Sequence, residues 1–84
     1  MEPIVVKLQD AAERAGPELL PGPSNPIVVR LTAELLDGER KRVVVSEDVP
    51  KGSVFEIVSD EGRAIGGNES APTPLSYFAA AIAF

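Results

Sequence analysis

The ten residues Leu75–Phe84, LSYFAAAIAF, constrain this chain more than any other stretch. Thr73 followed by Pro74 marks a helix start. The threonine side chain can accept from one of the first free amides, and proline at the first helical position lacks an N–H that the helix would not use. The alanines that follow suit a helix interior. Ser76 and the Tyr77 hydroxyl are the only polar side-chain groups in the run, so the helix is apolar all round and calls for burial on every side. No Gly, Lys or Arg closes its far end. A run of this length fits a core helix better than a membrane span, which needs about 20 apolar residues. If the chain continued, the same run could open a membrane helix.

The strands that might cover this helix lie upstream. Ile4–Leu8 is a β-branched run read as an edge strand, and Asp10 is an N-cap for a helical turn through Arg14 that Gly16-Pro17 stops. PELLPGPSNP, residues 17–26, carries four prolines and reads as a linker or surface loop. A boundary falls there, giving an N-terminal extension over 1–26 and a sheet-plus-helix region over 27–84. Between Ile27 and Ser46 two β-rich runs flank Asp37-Gly38. Val29, Leu31, Ala33 and Leu35 alternate with Arg30, Thr32 and Glu34, the period of a half-buried strand.

The hairpin register follows from the faces. A two-residue Asp37-Gly38 loop sets Arg40 and Arg42 against Leu35 and Ala33. A three-residue Leu36-Asp37-Gly38 loop, with Gly38 left-handed, instead pairs Leu31 with Val43, Val29 with Val45 and Glu34 with Arg40, and this register is expected. After the polar turn 47–52, Ser53–Ser59 reads as a third strand buried on much of both faces, broken by Asp60-Glu61-Gly62. Three strands cover one side of the helix only, so further sequence, a second chain or a dimer partner is expected on the other.

Composition narrows the chemistry. Among 84 residues there is neither Cys nor His, which removes thiol and imidazole nucleophile-base pairs, disulfides and zinc clusters built on them. Thirteen acidic and eight basic residues leave a net charge of −5 with no basic face, so nucleic acid is a poor partner. Met1-Glu2-Pro3-Ile4 lacks the charged start and apolar core of a secretory signal, and a cytoplasmic protein without a membrane span is expected.

Local motifs add little catalytic promise. Gly66-Gly67-Asn68 lacks both the P-loop and the dinucleotide-binding patterns and reads as a flexible strand-to-helix loop. Glu47, Asp48, Asp60 and Glu61 do not fit an EF-hand spacing and read as solvated turn residues rather than a calcium site or carboxylate pair. Arg40-Lys41-Arg42 alternates between faces of a strand and reads as a cross-strand ion-pair element rather than an anion site. Tyr77 and Phe78 read as core aromatics, with a Tyr77 hydroxyl that needs a partner if buried and could line a pocket.

The stretch Phe55–Phe84, FEIVSDEGRAIGGNESAPTPLSYFAAAIAF, resembles the OsmC/Ohr superfamily, most specifically over Ser70–Ala83. Members of that family read strand, glycine loop, S-A-P-x-P-L and alanine-rich helix before a reactive cysteine, which would fall just after Phe84. The resemblance implies an α+β fold, an antiparallel sheet packed on a long apolar central helix, completed as an intertwined homodimer or by a second chain carrying the C-terminal half. It also implies a thiol peroxidase in the complete form, taking organic hydroperoxides without a cofactor, in which one thiolate attacks the peroxide and a second cysteine resolves the sulfenic acid. Two positions depart from the family pattern. Leu75 stands where a glutamate usually follows the helix-starting proline, and Leu36 where the family has an arginine, leaving Arg40 as a loose substitute. Within this chain no catalytic or metal residue is expected, and Tyr77, Phe78 and Arg40 are the pocket-lining candidates. The alternative is a noncatalytic β-sheet module for interaction or oligomerisation.

Overall fold

The computed structural model describes residues 3–84. Four strands, β1 (Val5–Gln9), β2 (Val28–Asp37), β3 (Arg40–Val49) and β4 (Val54–Ser59), form one antiparallel sheet in the order β1-β4-β3-β2. One helix, α1 (Pro74–Ala83), follows it. The architecture is thus an α+β-like mixture with all its strands before its helix.

β1 is an edge strand, as its short β-branched run suggests. It pairs with β4, Val5 opposite Ile57 and Lys7 opposite Phe55, so residues N-terminal to the proline-rich loop belong to the sheet. Asp10 caps the turn that follows. Its carboxylate accepts from Ala12 N (3.1 Å) while Glu13 Oε1 accepts from Asp10 N (3.2 Å), a reciprocal capping box over a single 3₁₀ turn, Ala11–Glu13.

The β2–β3 register differs from the expected one by two residues. Leu31 lies opposite Val45, Ala33 opposite Val43 and Glu34 opposite Arg42. Asp37 and Arg40 close the hairpin around Gly38-Glu39, and Gly38 takes the left-handed conformation (φ +48°). A bulge between Leu35 and Asp37 takes up the extra residue. A slip of two keeps every side chain on its own face, so the apolar alternation is blind to it. Charge distinguishes the registers: opposite Glu34, Arg42 bridges Glu34 (2.7 Å) and Glu56 of β4 (3.1 Å), while Arg40 pairs with Asp37 (3.2 Å) instead of Glu34.

The pairing sorts the sheet into two unlike faces. One carries Val5, Val29, Leu31, Ala33, Leu35, Val43, Val45, Phe55 and Ile57. The other carries Arg30, Thr32, Glu34, Arg42, Ser46 and Glu56, interleaved with Val44, Val54 and Val58. The apolar face is largely uncovered: Leu31 is 60% exposed, and Val29 and Leu35 are similarly open. Among the described residues Val49 is the one buried hydrophobic side chain, at 9%.

The ten-residue α1 starts as its sequence predicts, with Thr73 Oγ1 accepting from Ser76 N (3.1 Å) and Pro74 in the first turn. It is not enclosed. Leu75, Phe78, Ile82 and Phe84 are all exposed. Among the described residues no helix is long and apolar enough to cross a membrane.

Candidate functional site

Where α1 meets the apolar face, an open cleft of about 560 Å³ forms. Ala33 and Leu35 of β2, Lys41 and Val43 of β3, Ile57 and Ser59 of β4, and Pro74 and Tyr77 of α1 line it, with Glu34 at its border. Tyr77 fixes the helix to the sheet by donating its hydroxyl to the Val58 carbonyl (2.5 Å). Burial raises the Tyr77 pKa above its ordinary value, which keeps the phenol protonated and donating. Replacing Tyr77 with Phe removes this one bond while keeping the ring. Denaturant unfolding should then show a loss of about 1 kcal/mol, and α1 amides should exchange faster.

The three candidates from the sequence are not brought together. Tyr77 lines the cleft. Phe78, the next residue round the helix, is 64% exposed and not among the lining residues. Arg40 sits at the hairpin end, ion-paired to Asp37, and also does not line the cleft. Lys41 does reach it, because its odd place on β3 sets it among the apolar residues, and its ammonium turns back to Glu39 (carbonyl 3.2 Å, carboxylate 3.8 Å). The cleft therefore offers an apolar wall edged by the Lys41 ammonium, the Ser59 hydroxyl, the Tyr77 phenol and the Glu34 carboxylate. Such a surface holds apolar material and presents neither a thiol nor an imidazole.

Two charged side chains that the sequence reading missed fix the turns at opposite ends of the sheet. Asp60, expected to be a solvated turn residue, is 2% exposed. Its carboxylate accepts from Glu61 N (2.8 Å), Asn68 N (3.3 Å), Ser70 N (3.2 Å) and Ser70 Oγ (2.7 Å). These bonds, the Ser70 hydroxyl foremost, lower its pKa to about 2 against the opposing effect of burial. Asp60 N also donates to the Pro72 carbonyl (3.2 Å), so the knot delivers the chain to the Thr73 cap.

The glycine loop, expected to be flexible, is tied into this knot. Gly67 N donates to the Gly62 carbonyl (3.0 Å) and Glu69 N to the Glu61 carbonyl (3.1 Å). A β-carbon on Gly67 would collide with the backbone carbonyl of Glu61.

Arg14 is the second hub. Its guanidinium donates to the carbonyls of Glu47 and Gly52 (2.8 Å for the latter), to Ser46 Oγ (3.0 Å) and to Asp48 Oδ1 (2.6 Å). Asp48, also expected to be solvated, is thereby enclosed between Arg14, Ser46 and Arg30. The Arg14 hydrogen bond, then that of Ser46, holds its carboxyl below the usual range. Sequence alone gave no signal for either hub, since each gathers partners from distant or differently folded segments. Among the described residues no group of three or more His, Cys, Asp or Glu side chains is placed to hold a metal ion.

No protein-family model matches this chain, and no curated protein or solved structure matches it.

Proposed function

We propose that this chain is the sheet-bearing, N-terminal half of an OsmC-like thiol-dependent hydroperoxide reductase of the cytoplasm, inactive alone. It would supply one wall of the substrate cleft to an assembly whose reactive cysteine lies outside these 84 residues. The single observation that carries the reading is the bare apolar face of the sheet, with α1 leaning over it and no core between them. An OsmC-like fold would fill that space with a longer central helix and the cysteine-bearing C-terminal half.

The energetics favour such completion. Fully burying a Val, Leu, Ile or Phe side chain contributes about 1.5–3 kcal/mol. Val29, Leu31, Leu35, Phe78 and Ile82 together can therefore match the roughly 4–15 kcal/mol that association costs in lost freedom. In the assembled enzyme the thiolate attacks the hydroperoxide O–O bond, an S–O bond forms and an alcohol leaves. A second thiol then displaces hydroxide as water to give the disulfide. The apolar cleft suits the organic part of such a substrate.

The test is consumption of an organic hydroperoxide with a dithiol reductant, by this chain alone and by the form extended or joined to a cysteine-bearing C-terminal half. No turnover is expected from the first, and turnover abolished by Cys→Ser from the second. An assembled, folded, cysteine-bearing form that consumes no hydroperoxide overturns the proposal. A second reading, a noncatalytic β-sheet interaction module, is favoured by the exposure of every residue of β2. It predicts association without peroxide consumption.

A further inference from the structure

β2 is the outermost strand beyond β3, and all ten of its residues are exposed. Which of its backbone groups are free follows from the pairing. On β4, Val58 N donates to the Ile4 carbonyl, so Glu56 and Val58 direct their backbone groups to β1, and Phe55, Ile57 and Ser59 direct theirs to β3. Opposite them, Lys41, Val43 and Val45 bond to β4, which leaves Arg42, Val44 and Ser46 to bond Glu34, Thr32 and Arg30 of β2. Val29, Leu31, Ala33 and Leu35 therefore direct their N–H and C=O groups to the open edge.

The two edges of the sheet are treated differently. β1 is short, at five residues, carries Lys7 and is bulged between Lys7 and Gln9, all devices that blunt an edge against pairing. β2 has neither Lys nor Pro, and its irregularities fall at its ends, between Val28 and Val29 and between Leu35 and Asp37. The regular stretch between them, Val29–Leu35, is centred on Thr32.

We propose that β2 is a dimerisation edge, pairing antiparallel with β2 of a second copy about a two-fold axis at Thr32. That axis sets Val29 opposite the partner's Leu35 and Leu31 opposite the partner's Ala33, in hydrogen-bonded pairs whose side chains continue the apolar face. It sets Thr32 opposite the partner's Thr32 and Arg30 opposite the partner's Glu34, twice by symmetry, in the closer non-hydrogen-bonded pairs. Charge selects this register. An axis at Arg30 or at Glu34 places like charges directly opposite, and an axis at Leu31 or Ala33 leaves the ion pairs unmade. Two four-stranded sheets then join into one of eight strands. The interface does not depend on the thiol chemistry proposed above.

The chain has no cysteine, so introduced thiols report on single positions. Under a mild oxidant, Thr32→Cys should form a disulfide-linked dimer at least about tenfold faster than Arg30→Cys or Glu34→Cys. Only residues at the axis bring like positions within the roughly 4.4–6.8 Å Cα separation a disulfide spans. Ala33→Pro removes an N–H that β3 does not use, and should raise the dimer dissociation constant in sedimentation equilibrium at least about tenfold while the β-sheet circular dichroism is kept. A monomeric wild-type chain at high micromolar concentration overturns the proposal. So does Thr32→Cys crosslinking no faster than Arg30→Cys, or a dimer unaffected by Ala33→Pro, which would assign association to the apolar face.

Discussion

Asp60→Ala should release the whole segment between β4 and α1, raising amide exchange at Asn68 and Ser70 by about a hundredfold. The wild-type carboxylate serves four donors at once: the N–H groups of Glu61, Asn68 and Ser70 and the Ser70 hydroxyl. Alanine leaves all four in a buried site without an acceptor, and burial makes that worse than never having formed the bonds. Asp60→Asn should rescue in part, because its one amide oxygen can accept the three bonds made to Oδ2 while its NH2 would face the Glu61 N–H.

The same site predicts an acid limit. Asp60 titrates near 2 when folded, against 3.8 ordinarily, so the folded state holds its charge more firmly than the unfolded chain. Its stabilisation is complete above the ordinary value, falls as the unfolded state takes up a proton near 3.8, and is gone below about 2. Loop protection should therefore fade between those two values in the wild type. Asp60→Asn should lack that component, and an Asp60 carboxyl titrating near 4 in a carbon-detected NMR titration would refute the knot.

Arg14→Ala should be the second large effect, a loss of about 1–3 kcal/mol in denaturant unfolding. Its side chain is 14% exposed and its fork spans the β3–β4 turn, joining two carbonyls, a hydroxyl and a carboxylate from residues 46–52. Arg14→Lys should behave nearly like alanine, since one ammonium on a flexible stem cannot match four acceptors set around a planar guanidinium. A readout specific to the contact is the Asp48 carboxyl. Held low first by Arg14, it should titrate higher in Arg14→Ala, and an unchanged Asp48 titration would rule out this role.

Sequence periodicity reached the strands, their faces and the helix start because each is local. Apolar alternation at Val29–Leu35 sets one face, Gly38 permits the left-handed turn, and Thr73-Pro74 opens α1. The hairpin register was out of reach: the expected and the observed pairings differ by two residues and present the same faces, and only the Arg42 bridge from Glu34 to Glu56 on a third strand tells them apart. Of the cleft, Tyr77 was legible from a helical position whose hydroxyl needs a partner. Lys41 was half legible, placed on the apolar face by strand parity but not at a cleft wall until β2, β4 and α1 surrounded it.

By itself, then, the sequence determined a chain that has no thiol or imidazole of its own, and a sheet and helix each with more apolar surface than the two can cover. Those properties depend on residue type and on neighbours two to four positions away. Tertiary structure alone decided that Asp60 and Arg14 are the points on which the turns hang, and that β2 is left with an open edge. Charged side chains in turns carry no local mark of burial, and their environment is set by the segments that fold back on them: residues 68–70 for Asp60, and residues 46–52 for Arg14.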